Sequence, residues 1–279
     1  DHRDLHSFPT RRSSDLMVGV SSCLNSEDDG IREWGGYFEV NNTYGSVNFV
    51  DPTGIQLVPN KTIIDAPASS ALAYINYQYK DDDMAQIEQT KKLPVTLLQD
   101  PVYLKRLDCL TTTLPEETKT VSIYSLGERD ALVWGNNKYL ILAPTILLKK
   151  GTTSENLSTE LLNHRLTLYY LSAEGDEDAN TLKLYLRYEI SGIGGSSTEE
   201  TDDKESWASD YNVRYTNVSH VNLQPIISMY KSTHSGSEPE KVTVEYEYNN
   251  STSSIPTIAM IHTKTVTYNL YTETSSNYN

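Results

Sequence analysis

HRLTLYYLSAEGDEDANTLKLYLRYEI, His164 to Ile190, decides the fold class. Leu166, Leu168 and Tyr170 recur at every second position, as do Leu182, Leu184, Leu186 and Tyr188, and the acidic run between them has no apolar period. Alternation of this kind collects side chains on one face of a strand. The segment reads as two strands joined by an acidic turn, with both apolar sets facing inward. Lys183, Tyr185, Arg187 and Glu189 form the outward set of a strand with one solvated face.

The same pattern extends in both directions. ALVWGNNKYLILA, from Ala131, is a hairpin around Gly135, Asn136 and Asn137. NVRYTNVSHVNL, KVTVEYEY and KTVTYNLYTE add strands toward the C-terminus. Only TSENLSTELLNHR, with Leu157, Leu161 and Leu162 at helical spacing, reads as a helix. Strands separated by turn signals predict a β-sandwich over 118–279.

Upstream, GGYFEVNNTYGSVNFVDPTGIQLVP gives short strands punctuated at Tyr44-Gly45 and at Asp51-Pro52-Thr53-Gly54. ALAYINYQY, Ala71 to Tyr79, is another strand, ending in the acidic turn Asp81-Asp82-Asp83. LPVTLLQDPVYLKRL supplies one more, interrupted by Pro101, which points to an edge or a bend. Strands of irregular length in so short a span predict a small closed or nearly closed barrel over 33–110. The polar stretch Thr111 to Lys119 separates the two domains. The expected class is all-β, an OB-like barrel followed by a β-sandwich.

Composition narrows the partners. The 279 residues are 37% hydrophobic and 22% charged, in the range of globular proteins. No segment reaches the ~18 consecutive apolar residues of a membrane span. Formal net charge is −15, and nucleic-acid binding depends on neutralising phosphates with Lys and Arg, so no nucleic-acid partner is expected. Twenty tyrosines against three phenylalanines put aromatic surface where one end stays wet, on half-solvated strands or a binding face.

The N-terminal residues read differently from the rest. Asp1 to Leu16 carry three arginines and three aspartates without an apolar period, and His6 to Leu16 resembles a translated sequencing adapter; 1–16 is set apart as a non-native leader. Residues 17–32 read as the remainder of a lipoprotein signal and an acidic spacer. In MVGVSSCLNSEDDG, Met17 to Gly30, small and apolar residues lead to Cys23, and a polar stretch follows. This resembles a bacterial lipobox, in which Cys23 is lipidated on sulfur and becomes the mature N-terminus. Cys23 as an ordinary half-cystine or free thiol is the alternative, with Cys109 as the other cysteine. A buried methylene contributes about 0.8 kcal/mol, and two or more acyl chains hold a protein on a membrane stably. Glu27, Asp28 and Asp29 stand where lipoproteins of the Bacteroides group carry an acidic cluster that resembles an outer-surface export signal.

SSCLNSEDDG, WGGYFEVNNTYGSVNFVDPTGIQLVP, LTLYYL and TLKLYLRYE together resemble the NigD-like proteins. That resemblance implies a lipoprotein signal, an OB-type barrel and a C-terminal β-sandwich. It also implies a role in immunity to a bacteriocin, and it brings no catalytic residues.

No residue set carries recognisable chemistry. Asp176, Asp178 and Asn180 begin like a calcium loop, but Thr181 stands where glycine is required and Arg187 where the bidentate acid belongs. Glu199, Glu200, Asp202, Asp203 and Glu205 read as a solvated loop. His164, His220, His234 and His262 are scattered singly, without metal-ligand spacing. No catalytic residue, metal or cofactor is expected. Trp34, Tyr37 and Tyr44 are candidate ligand-binding residues, able to stack on a sugar or grip a peptide, or else to fill the barrel core. The expected function is that of a non-enzymatic outer-membrane lipoprotein, anchored through Cys23 and surface-exposed or else periplasm-facing, binding a protein or glycan. The alternatives are a bacteriocin-immunity protein of the envelope and a glycan-active hydrolase.

Overall fold

The computed structural model describes residues 30–43, 45–63, 66–116, 120–172, 180–193, 210–249 and 261–271. They divide into two compact units, one up to Arg106 and one from Leu107.

The first unit is built from β1 (Ile31–Thr43), β2 (Ser46–Val50), β3 (Gln56–Pro59), β4 (Leu72–Lys80) and β5 (Lys92–Leu97). Its closure depends on the length of β1, which serves two neighbours: Ile31–Glu39 pairs with β4, and Glu39–Thr43 with β2. The order β1-β2-β3-β5-β4 returns to β1, and this closed five-stranded barrel bears out the sequence reading. Only β3 and β5 run parallel. The turn between β2 and β3 is held by Asp51, whose carboxylate accepts the N–H groups of Thr53 and Ile55, both at 2.8 Å. Inward-facing Phe38, Phe49, Leu57, Ile75 and Val95 fill the interior. The acidic run after β4 is more than a turn. It forms a 3-10 segment, Asp81–Gln86, leading into α1 (Ile87–Thr90), which buries Ile87 in the barrel core. Two short strands, β6 (Val102–Tyr103) and β7 (Lys105–Arg106), end the unit, and β6 adds to β4.

The second unit opens with β8 (Asp108–Leu110), which runs parallel to β12 (His164–Tyr169) in its sheet. Residues 107–110, grouped with the barrel from sequence, thus lie beyond the division. One sheet is β8-β12-β13-β16-β17, with β13 (Thr181–Ile190), β16 (Lys241–Asn249) and β17 (Ile261–Asn269); β13 and β16 are parallel. Opposite it stand β9 (Ala131–Trp134), β10 (Tyr139–Leu142) and β15 (Ser219–Asn222), and the pair β11 (Thr145–Lys149) and β14 (Tyr211–Thr216). Leu140, Leu142, Ile146, Leu148, Leu182, Leu184, Val242 and Val244 meet in one core between these layers. The unit is a mixed-sheet β-sandwich.

Helix reading from sequence was incomplete. TSENLSTELLNHR contributes the one-turn α2 (Leu157–Leu161), with Leu162 beyond it 83% exposed. The longer α3 (Gln224–Thr233) is a second helix that the apolar periodicity of the sequence does not single out. Pro225 stands in its first turn and Lys231 in its last, while Ile226 and Tyr230, four apart, bury one face in the core.

The outward set of β13 also needs correction. Tyr185 and Arg187 are only 7% and 6% exposed. The parallel neighbour β16 places Glu245 and Glu247 beside them, and that pairing converts a solvated face into an ion-pair ladder.

Candidate functional site

The side chains of β1 alternate about the barrel wall. Phe38 belongs to the core, so Trp34 shares the inward parity and Tyr37 takes the outward one. The register agrees: Trp34 lies opposite Tyr77, a core residue, and Tyr37 opposite Tyr74. The two sequence candidates therefore occupy different faces of one strand. Trp34, near the N-terminal end of β1, is 49% exposed. Tyr44, Cys23, Glu27, Asp28 and Asp29 lie outside the described residues.

The outer wall brings Tyr37 together with residues that sequence reasoning missed. Tyr37 and Tyr74 meet edge to face, with ring centroids 5.3 Å apart. Val102 of β6 stands opposite Tyr74 and continues that row. In the neighbouring row Gly35 faces Asn76. The β4–β5 register, Tyr77 against Leu97, carried one residue further brings Leu98 beside Asn76, and the Leu98 N–H donates to the Asn76 carbonyl at 2.9 Å. Leu98 and Val102 are 47% and 39% exposed. Glu33 pairs with Gln78 on one side of these rows, and Glu39 follows Tyr37 on the other.

Gly35 is what lets this wall close up. A Cβ there would strike the Asn76 carboxamide oxygen and stand 3.0 Å from the Tyr74 hydroxyl. Because glycine has no side chain, the amide and the phenol lie directly over the strand. Burial pushes the Tyr37 phenol up, with a further contribution from Tyr74, so it keeps its proton at neutral pH and can donate. The result is a face with two aromatic rings packed edge to face on one row, exposed aliphatic groups on one side, and an amide able both to donate and to accept. In sequence, only the alternation of Tyr74 and Asn76 within ALAYINYQY could have pointed to it; Leu98 and Val102 arrive through strand pairing.

The second unit contains one densely coupled polar cluster. His164 Nε2 lies 3.0 Å from Glu160 Oε1, its Nδ1 lies 2.5 Å from the Tyr188 hydroxyl, and that hydroxyl lies 3.3 Å from the Leu147 carbonyl. The Lys149 N–H donates to the same Glu160 oxygen at 3.0 Å. Burial disfavours the charge on Glu160, but the hydrogen bonds from His164 and Lys149 outweigh it and hold the carboxyl below its ordinary range. Burial pushes the Tyr188 phenol strongly upward. The His164 side chain is 1% exposed, so the carboxylate–imidazole–phenol series ties α2 to three strands and offers no open face to a substrate. Among the other histidines, His220 is buried and His262 exposed, while His234 stacks on Tyr230 with centroids 3.9 Å apart. The acidic stretches around Asp176, Asp178 and Glu199–Glu205 fall outside the described residues. Among the described residues, no three His, Cys, Asp or Glu side chains converge as metal ligands, and no helix is long and apolar enough to cross a membrane.

No protein-family model and no curated protein matches the chain. Solved structures do. A Bacteroides fragilis protein assigned as a lipoprotein shares the fold at a TM-score of 0.63 and 22% identity, over 87% of this chain and 99% of that one. An uncharacterised protein of Parabacteroides merdae matches at 0.51 and 14% identity, over 86% of this chain and all 100% of its own. A NigD-like immunity protein of Bacteroides caccae is also among the structural neighbours, at 0.46 and 10% identity, over 84% of this chain and 91% of that one. The first of these shows that the barrel-plus-sandwich architecture is shared along nearly the whole of both chains.

Proposed function

We propose that this protein is a non-enzymatic lipoprotein of the cell envelope, anchored in the outer membrane through Cys23 and facing the cell surface, with its barrel acting as a binding module for a protein or glycan. One observation carries the reading: the small residues Ser21 and Ser22 lead to Cys23 in the sequence, and the fold is shared with a lipoprotein-assigned protein over 87% of this chain and 99% of that one. Acyl chains on Cys23 supply the anchor, since each buried methylene adds about 0.8 kcal/mol. Glu27, Asp28 and Asp29 favour an extended spacer, because anionic headgroups repel them. The outer barrel wall supplies a presented face, apolar and hydrogen-bonding at once.

Fatty-acid labelling of cells producing wild type and Cys23→Ala, followed by protease shaving of intact cells, tests the proposal. Wild type takes up label and is shaved; Cys23→Ala takes up none. An unlabelled wild type overturns the anchor. A labelled protein that resists protease until the cells are lysed overturns the surface assignment and leaves a periplasm-facing lipoprotein.

A further inference from the structure

We infer that the outer barrel wall formed by Gly35, Tyr37, Tyr74, Asn76, Leu98 and Val102 is a binding site for a neutral glycan. The inference rests on the binding-module reading and names the ligand class. A sugar ring has one apolar face of C–H groups and a periphery of hydroxyls that each donate and accept. The wall offers the matching elements. Tyr37 and Tyr74 provide ring surface, and exposed Leu98 and Val102 continue it as aliphatic surface. Asn76 presents an amide with donors and an acceptor, set down over Gly35 because no Cβ intervenes. Gln78 repeats that amide chemistry one row on, and Glu33 opposite it adds an acceptor on the same face.

Other occupants fit less well. A phosphate or sulfate chain meets the carboxylates of Glu33 and Glu39 on a protein of net charge −15. A wholly apolar partner would strip water from the Asn76 amide and return no hydrogen bond, at a cost of about 1–3 kcal/mol. A Lys or Arg side chain satisfies acceptors only and leaves the amide donors facing it. A glycan hydroxyl satisfies both.

Native affinity electrophoresis of the full chain, in gels containing yeast mannan, glycogen, barley β-glucan or galactan, tests this, with polygalacturonate and poly-lysine as charged comparators. At least one neutral polysaccharide retards the wild type. Tyr37→Ala and Asn76→Ala each weaken that retention tenfold or more, whereas Leu162→Ala, in an exposed position of the other unit, does not. Circular dichroism and thermal melting establish that the variants fold, and Asn76→Asp, which keeps the size of the side chain and removes its donors, serves if either alanine variant does not. The inference is overturned if no neutral polysaccharide retards the wild type, if the folded variants are retained like wild type, or if only a charged polymer is bound. Retention of a peptide in place of a glycan sinks this inference and leaves the binding-module reading standing; absence of fatty-acid label bears on the anchor alone.

Discussion

Asn137 does the work of a strand residue from a hairpin tip. Its amide donates to the Tyr271 carbonyl and its oxygen accepts the Tyr271 N–H, both at 2.7 Å, a two-bond exchange of the kind two paired backbones make. It does so with φ at 64°, a left-handed conformation that Asn tolerates and Ala resists. Asn137→Ala is expected to lose about 2 kcal/mol from both causes together, and Asn137→Gly, which keeps the backbone freedom, about 1 kcal/mol; urea denaturation of the three proteins checks the order. Glu160 contributes in a pH-dependent way. Its folded carboxyl titrates below its ordinary value of 4.5, so the unfolded chain takes up the proton first. The stability it provides is complete above the ordinary value and is lost as pH falls through the folded one. The urea midpoint of Glu160→Gln should therefore lie below that of wild type at neutral pH, and the gap should close in acid. At this scale Tyr37 is legible in the sequence as an aromatic candidate, and parity separates it from Trp34, because positions three apart on a strand point to opposite faces.

Among the elements, the pairing of β13 with β16 shows where sequence reading stops. The alternation of Leu182, Leu184 and Leu186 predicted the strand and its inner face, because apolar burial is a local signal. The outer face depends on a neighbour far away in the chain. Arg187 Nη2 lies 3.0 Å from Glu245 and Nε 3.4 Å from Glu247, while Lys183 Nζ reaches Glu245 at 3.2 Å and sits 4.8 Å from the centre of the Tyr185 ring. The Arg187 and Glu247 side chains are each 7% exposed, so this is a low-dielectric ladder rather than a surface pair. Removing one partner from a buried pair costs more than removing both. Arg187→Met is expected to destabilise by about 3 kcal/mol, since it leaves Glu247 buried without its guanidinium, while Arg187→Met with Glu247→Met recovers most of that loss. A double-mutant cycle in urea measures the coupling, and additive losses would show that the pair is solvated. Helix α3 was missed for a related reason. Its apolar residues Ile226, Ile227 and Met229 sit among polar ones in a single short helix, and its stability comes from the core that Ile226 and Tyr230 enter.

For the whole molecule, the two cysteines allow the proposed anchor at Cys23 to be tested separately from the fold that buries Cys109. Cys109 is a free thiol in β8, beside Leu168 across a parallel pairing, and burial pushes its pKa up to about 12. Alkylation proceeds through the thiolate, so at mild alkaline pH the native protein should leave Cys109 unmodified by iodoacetamide. Unfolding returns it to the ordinary range near ~8.5, where it reacts. A sulfur that carries an acyl chain cannot react in either state. Protein extracted from membranes with detergent should therefore take up no label when folded and one label per chain in denaturant, at Cys109. Cys23→Ala should give the same count. Peptide mapping by mass spectrometry reads both positions. A second label at Cys23 in the unfolded wild type would remove the anchor while leaving both units intact, whereas label on Cys109 in the folded protein would contradict the packing of β8 against β12. The two outcomes separate because the proposed anchor is a covalent event at Cys23, whereas the protection of Cys109 is a property of the paired strands β8 and β12.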